Sequence, residues 1–164
     1  MINKIEKYIQ KIVELEQFIA NLFLLFIMFI ITLDVLGRNL WNKPITGTVE
    51  LTELGSALLV FFALAMTHRK DEHIGIDFLV DRFPLPLRHF MIGVVEIIIA
   101  IVLFLMARHV FDNGLRMMER NATTTDLALP MYPFLFVVMF TLAIFALTAI
   151  FKAIYRFRRA VRKS

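Results

Sequence analysis

A chain of 164 residues that is 59% hydrophobic, with seventeen Phe and a mean hydropathy of +0.74, has more apolar surface than a soluble domain of its size can hide. Its net charge of +4 gathers at the ends of apolar segments, which suits a membrane interface and not the basic stripe with stacking aromatics that nucleic acid requires. The absence of cysteine excludes disulfides and thiolate metal sites and leaves the redox compartment open.

Residues 1–16 come first. Ile5, Tyr8, Ile9, Ile12 and Val13 fall at helical spacing, with Lys4, Lys7, Lys11 and Glu14 around the rest of the helix. This pattern predicts an amphipathic helix lying in the headgroup plane before the chain turns into the first span. That span covers residues 18–36. It has a basic segment before it but no small-residue cleavage site, and it runs directly into Asp34 and Arg38, so it reads as a retained signal-anchor helix. A short turn with Pro44 and Gly47 leads to the second span, residues 48–67, whose start includes Glu50 and Glu53. In the following loop Ile76, Leu79, Val80 and Phe83 make a short apolar stripe ended by Pro84 and Pro86, which predicts a second interfacial helix.

The third span covers residues 88–110. Phe111, Leu115 and Met118 continue its helical spacing, so the helix is expected to project beyond the bilayer and end at a polar turn over 121–126. Asn121-Ala122-Thr123 also matches the glycosylation sequon, a pattern common by chance. The fourth span, residues 131–154, has Pro130 and Pro133 around its first turn, where proline is tolerated. A basic tail, 155–164, follows Phe151 and mixes Tyr155 and Phe157 with arginines, as a stop-transfer or anionic-lipid contact would. Each window reaches the ~20 residues needed to cross ~30 Å of hydrocarbon. The sequence thus predicts an all-α integral membrane protein of four transmembrane helices in a single membrane domain.

Orientation follows from the cations. Lys4, Lys7 and Lys11 precede span one; Arg69, Lys70, Arg82 and Arg88 lie between spans two and three; Lys152, Arg156, Arg158, Arg159, Arg162 and Lys163 close the chain. Only Arg38, Lys43, Arg108, Arg116 and Arg120 fall elsewhere. The positive-inside rule then puts both termini and the middle loop in the cytoplasm, N-in/C-in.

Ionisable residues near apolar spans are costly to hold and mark candidate sites. Asp34 and Arg38, spaced i, i+4, share a helix face and can pair. Glu50 and Glu53 stand across the short turn, so a neutralised Asp–Arg–Glu cluster is expected there, either stapling span one to span two or presenting a contact surface. Glu96, ten residues past Pro86, lies ~15 Å along a helix and is expected near mid-membrane. Ser56, Thr32 and Thr141 are its candidate partners, with no basic residue evident at that depth. Two readings follow for Glu96: proton or cation coupling, or a polar bond between helices. The histidines do not suit haem, because His68 and His89 match in depth only at the water boundary and His73 belongs to the loop. No nucleophile–base set, phosphate loop or zinc spacing occurs, so neither an enzyme nor a resident cofactor is expected.

The order of motifs resembles the small membrane (Q-type, DctQ-like) subunit of tripartite ATP-independent periplasmic (TRAP) transporters. The residues that carry the resemblance are Arg38-Asn39, Trp41, Pro44, Gly47 and Glu50, then Arg69 and the string His73-Ile74-Gly75-Ile76-Asp77, and the Thr-rich stretch before Pro130. The resemblance implies a bacterial inner-membrane subunit that joins a large (M-type) transport subunit and, through it, a periplasmic substrate-binding protein (P-type). It implies that Na⁺ and an organic acid, such as a C4-dicarboxylate or sialic acid, bind the partners, and that this chain is a static scaffold beside an elevator-type mover. Asp34, Arg38, Glu50, Glu53, Arg69, His73, Asp77 and Glu96 are then structural or contact residues. The competing reading is a self-contained proton-coupled exporter that uses Glu96. A structural subunit of a respiratory complex fits the bundle but lacks cofactor ligands.

Overall fold

A computed structural model describes residues 2–69 and 85–162. The described chain is helical: α1 (Ile2–Trp41), α2 (Thr48–Arg69), α3 (Leu85–Glu119) and α4 (Tyr132–Arg162). Each contains a stretch long and apolar enough to cross a membrane: Ile9–Trp41, Thr48–His68, Phe90–Glu119 and Tyr132–Arg158. The second interfacial stripe and the candidates His73 and Asp77 lie outside the described residues, as does the side chain of Arg69.

The helices form two antiparallel hairpins, α1–α2 and α3–α4, joined mainly where α2 packs on α4. The bends of both hairpins lie at one end, here the turn end; the other is the tail end. Pairing of α3 with α4 is the most extensive, and small residues explain it. Gly93, Ala100, Ala107 and Gly114 recur every seven residues along α3, the repeat that keeps one seam facing a partner helix in a left-handed supercoil. Without a hydrophobic force between helices in lipid, such residues let backbones approach and gain dispersion contacts. The rings of Phe157 and Phe136 sit directly over Gly93 and Gly114. From α4, Leu142, Phe145 and Ala149 are buried in the bundle.

The first hairpin is joined more loosely. Phe23 stacks on Phe62 at 6.1 Å, and Gly55 admits the Ile27 side chain. α1 differs from expectation in one respect: it runs unbroken from Ile2 to Trp41, with no turn between residues 16 and 18. Ile9 and Val13, expected on a face lying in the headgroups, are buried in the bundle core with Ala20. The outer face of α1, including Phe18, Leu25 and Phe29, is exposed.

Other expectations hold. α2 begins at Thr48. α3 continues unbroken to Glu119, as the helical spacing of Phe111, Leu115 and Met118 requires. Asn121 then takes a left-handed φ of 48° and closes the helix, with its N–H donating to Met118 O and the Ala122 N–H to Met117 O. This is the Schellman pairing, and Asn tolerates the conformation better than other non-glycine residues. The sequon asparagine is therefore a helix cap.

Candidate functional site: two polar clusters at opposite ends of the bundle

At the turn end the α1–α2 connection is held by Asp34. One carboxylate oxygen accepts the Ile45 N–H at 2.8 Å, and the other accepts Arg38 Nε at 2.9 Å, with Arg38 Nη2 at 2.8 Å. Asp34 is buried, whereas the Arg38 side chain is more than half exposed. Asn42, at φ 51°, reverses the chain after α1, its N–H donating to Arg38 O. Gly47, at φ 80°, leads into α2, with its carbonyl accepting the Leu51 N–H.

Glu50 does not complete an Asp–Arg–Glu cluster. Its carboxylate turns to the other hairpin and accepts the backbone N–H groups of Asp126 and of Leu127, the latter at 3.1 Å. That loop is itself ordered: Thr124 and Leu129 exchange hydrogen bonds of 2.9 and 3.1 Å, and the Met131 N–H donates to Ala122 O at 3.1 Å. Leu127 packs so closely on Gly47 that any Cβ there would overlap its side chain. Glu53 is exposed. The expected cluster is therefore two devices: Asp34 and Arg38 fix one hairpin's bend, and Glu50 ties that bend to the other hairpin.

The tail-end cluster corrects the reading of Glu96. Its carboxylate lies 2.8 Å from His68 Nε2 and 3.6 Å from Lys152 Nζ, so basic groups from α2 and α4 meet it. Lys152 Nζ also donates to the His68 backbone carbonyl at 2.6 Å, within the last turn of α2, where a cation complements the helix dipole. The His68–Glu96 approach is short but not aligned as a hydrogen bond. The imidazole is tilted against Phe145 at 5.0 Å. Of the hydroxyls expected to serve Glu96, Thr32 and Thr141 donate to carbonyls of their own helices, Met28 and Val138.

The depth of Glu96 also changes. His68 is the penultimate residue of α2, so Glu96 is level with the end of the second span and not with its middle. Counting from Pro86 placed it at mid-membrane because that count assumed α3 starts level with the end of α2. In fact the first three turns of α3 run beyond it. Lys152, counted with the basic tail, belongs to the bundle and is mostly buried.

One buried acid escaped the sequence reading. Glu16 continues the stripe Ile9–Val13 to Ala20, is 3% exposed, and has no hydrogen-bond partner among the described residues. Its spacing, i+3 from Val13, is the signal that could have marked it. Among the described residues no group of three His, Cys, Asp or Glu is arranged to hold a metal. The chemistry on display is cohesion: charged and polar groups that join helices.

Comparison with known proteins gives the family. Residues 27–159 match the family model of the DctQ component of tripartite ATP-independent periplasmic transporters. The chain is also 28% identical over 99 residues to the sialic acid TRAP transporter permease protein SiaT of Haemophilus influenzae (strain 86-028NP). That match covers 60% of this chain and 16% of the relative. With four membrane-length helices and a family match across most of its length, the chain belongs to the DctQ family of TRAP transporter components, whose members are transport proteins and not enzymes.

Proposed function

We propose that this chain is the small permease subunit of a Na⁺-coupled, binding-protein-dependent transporter for organic acids, and that it works as a static scaffold. It braces a large elevator-type subunit, which carries the Na⁺ and substrate sites, and a periplasmic binding protein delivers the substrate. The name of the relative makes sialic acid the first substrate to test. The basic residues of the tail end put that end in the cytoplasm, N-in/C-in, which leaves the turn end facing the periplasm.

The observation that carries this reading is the use of the buried charges. Glu96 and Lys152 balance one another across α3 and α4, and both touch His68 of α2. A carrier that picks up and releases protons at Glu96 needs access to both sides of the membrane in turn. A buried acid held between a lysine and an imidazole from two other helices is instead suited to fixing helices in place. The broad exposed apolar faces of α1 and α3 leave ample surface for a membrane partner.

The test is uptake of sialic acid by vesicles containing the whole transporter, with Glu96→Gln combined with Lys152→Met in this subunit. The double substitution removes the carboxylate without stranding the ammonium. Na⁺-driven uptake at wild-type rates by the assembled complex is the expected result. Loss of uptake in a complex that assembles normally would favour the competing reading, a proton-coupled exporter using Glu96. That reading also expects flux from this chain alone.

A further inference from the structure

Between α3 and α4 lies a groove of about 400 Å³ lined almost wholly by carbon. Ala100, Ala146 and Ala153 form its floor, and Ile101, Ile150 and Ile154 its rim. The floor is deep because the alanines that bring the helices together leave space above them. The rim isoleucines are 43–55% exposed, so the groove opens sideways into the surrounding medium. It runs along the tail-side half of the bundle, from Phe157, beyond the level of Lys152, toward Leu105.

Charge distinguishes the groove's two ends. Ile150 and Ile154 are four residues apart, and the next step along the same stripe of α4 is Arg158, which is exposed. Arg158 begins a run of cations that includes Arg159, Arg162 and Lys163 in the sequence. A dry trough therefore ends at a cation about one turn past its last rim residue.

We infer that this groove is a binding site for an anionic phospholipid of the tail-side leaflet, with one acyl chain in the trough and the headgroup phosphate at Arg158. A protein helix laid in the groove would have to cover Arg158 as well and supply a buried anion for it. A lipid brings its anion at the right distance from its chain and leaves the arginine at the wet interface, where basic residues attract anionic headgroups. The inference requires the membrane setting only and is independent of the scaffold role.

Native mass spectrometry of the detergent-purified full-length chain, titrated with phosphatidylglycerol or with phosphatidylcholine of identical acyl chains, tests it. Phosphatidylglycerol should be retained about five-fold better, which is what one arginine contributes at an anionic surface. Arg158→Gln, far from the packed core, should remove that preference and leave phosphatidylcholine retention unchanged. Ile101→Trp, filling the trough from its exposed rim, should reduce retention of both. Equal retention of the two lipids by the unaltered chain would overturn the proposal. So would an Ile101→Cys variant that crosslinks to the large subunit in native membranes, which would give the groove to a protein partner.

Discussion

The two ends of the bundle solve the same problem with different chemistry. At the turn end each carboxylate is held by backbone, Asp34 by the Ile45 N–H beside the half-exposed Arg38 guanidinium and Glu50 by the N–H groups of Asp126 and Leu127. At the tail end, a carboxylate is satisfied by side chains, Glu96 meeting Lys152 and His68. Backbone donors cannot move unless the fold does, and they carry no full charge. Loss of a turn-end carboxylate therefore leaves amides that water can reach, whereas loss of a tail-end partner leaves an ion in a buried site. The tail end should be the more brittle of the two.

The largest effect is accordingly expected from Glu96→Gln alone. It leaves the Lys152 ammonium without its counter-ion, and removing one partner of a buried pair typically costs about 3–5 kcal/mol. Adding Lys152→Met should recover most of this loss, since an apolar pair of similar volume is close to neutral. Lys152→Met by itself should cost less than Glu96→Gln, because His68 remains beside the carboxylate. Thermal unfolding of the three variants checks the order. If the double variant were as unstable as the worse single one, the cluster's value would lie in its individual contacts and not in its charge balance.

At the turn end the most sensitive position is Gly47 and not an acid. A side chain there meets Leu127, and φ 80° is a left-handed conformation that costs a non-glycine residue roughly 1–2 kcal/mol before any overlap. Gly47→Ala should therefore destabilise more than Gly114→Ala. The latter position is helical, and its added methyl needs the edge of the Phe136 ring to shift only by tenths of an ångström. Comparing the two melting temperatures separates backbone strain from packing.

The same division explains what could be read from the sequence. The start of α2 at Thr48, the unbroken run of α3 to Glu119 and the proline-led start of α4 are local features, set by caps and by 3.6-residue periodicity within a dozen residues. The Asp34–Arg38 pair was legible for the same reason, being one helical turn apart. The partners of Glu96 were not, because they are brought in by helix pairing, and the relative offset of two helices is not encoded in either one. Lys152 read as part of the tail because Arg156 and Arg158 follow it closely. The separate interfacial helix over 1–16 failed differently. An apolar stripe does not say whether it faces lipid headgroups or a protein core; of this one, Ile9 and Val13 face the core and Ile12 is exposed. The heptad of small residues on α3 was visible in the sequence and is a signal that could have identified the tightest helix pair.

The smallest effects should come from the turn-end acids, and they distinguish a bound carboxylate from a solvated one. Glu50→Gln keeps the shape but loses the charge that strengthens hydrogen bonds from backbone N–H groups. The amides of Asp126 and Leu127 should then exchange hydrogen faster, and the melting temperature should fall by a few degrees at most. Thr124, whose N–H donates to Leu129 O within the loop, should keep its protection. Glu53→Gln, at an exposed position three residues away, should change neither quantity. If both substitutions left the Asp126 and Leu127 amides unaffected, Glu50 would not be holding the hairpins together. The turn end would then be joined by apolar contacts such as Gly47–Leu127, and the contrast between the ends would be one of apolar packing against ion pairing.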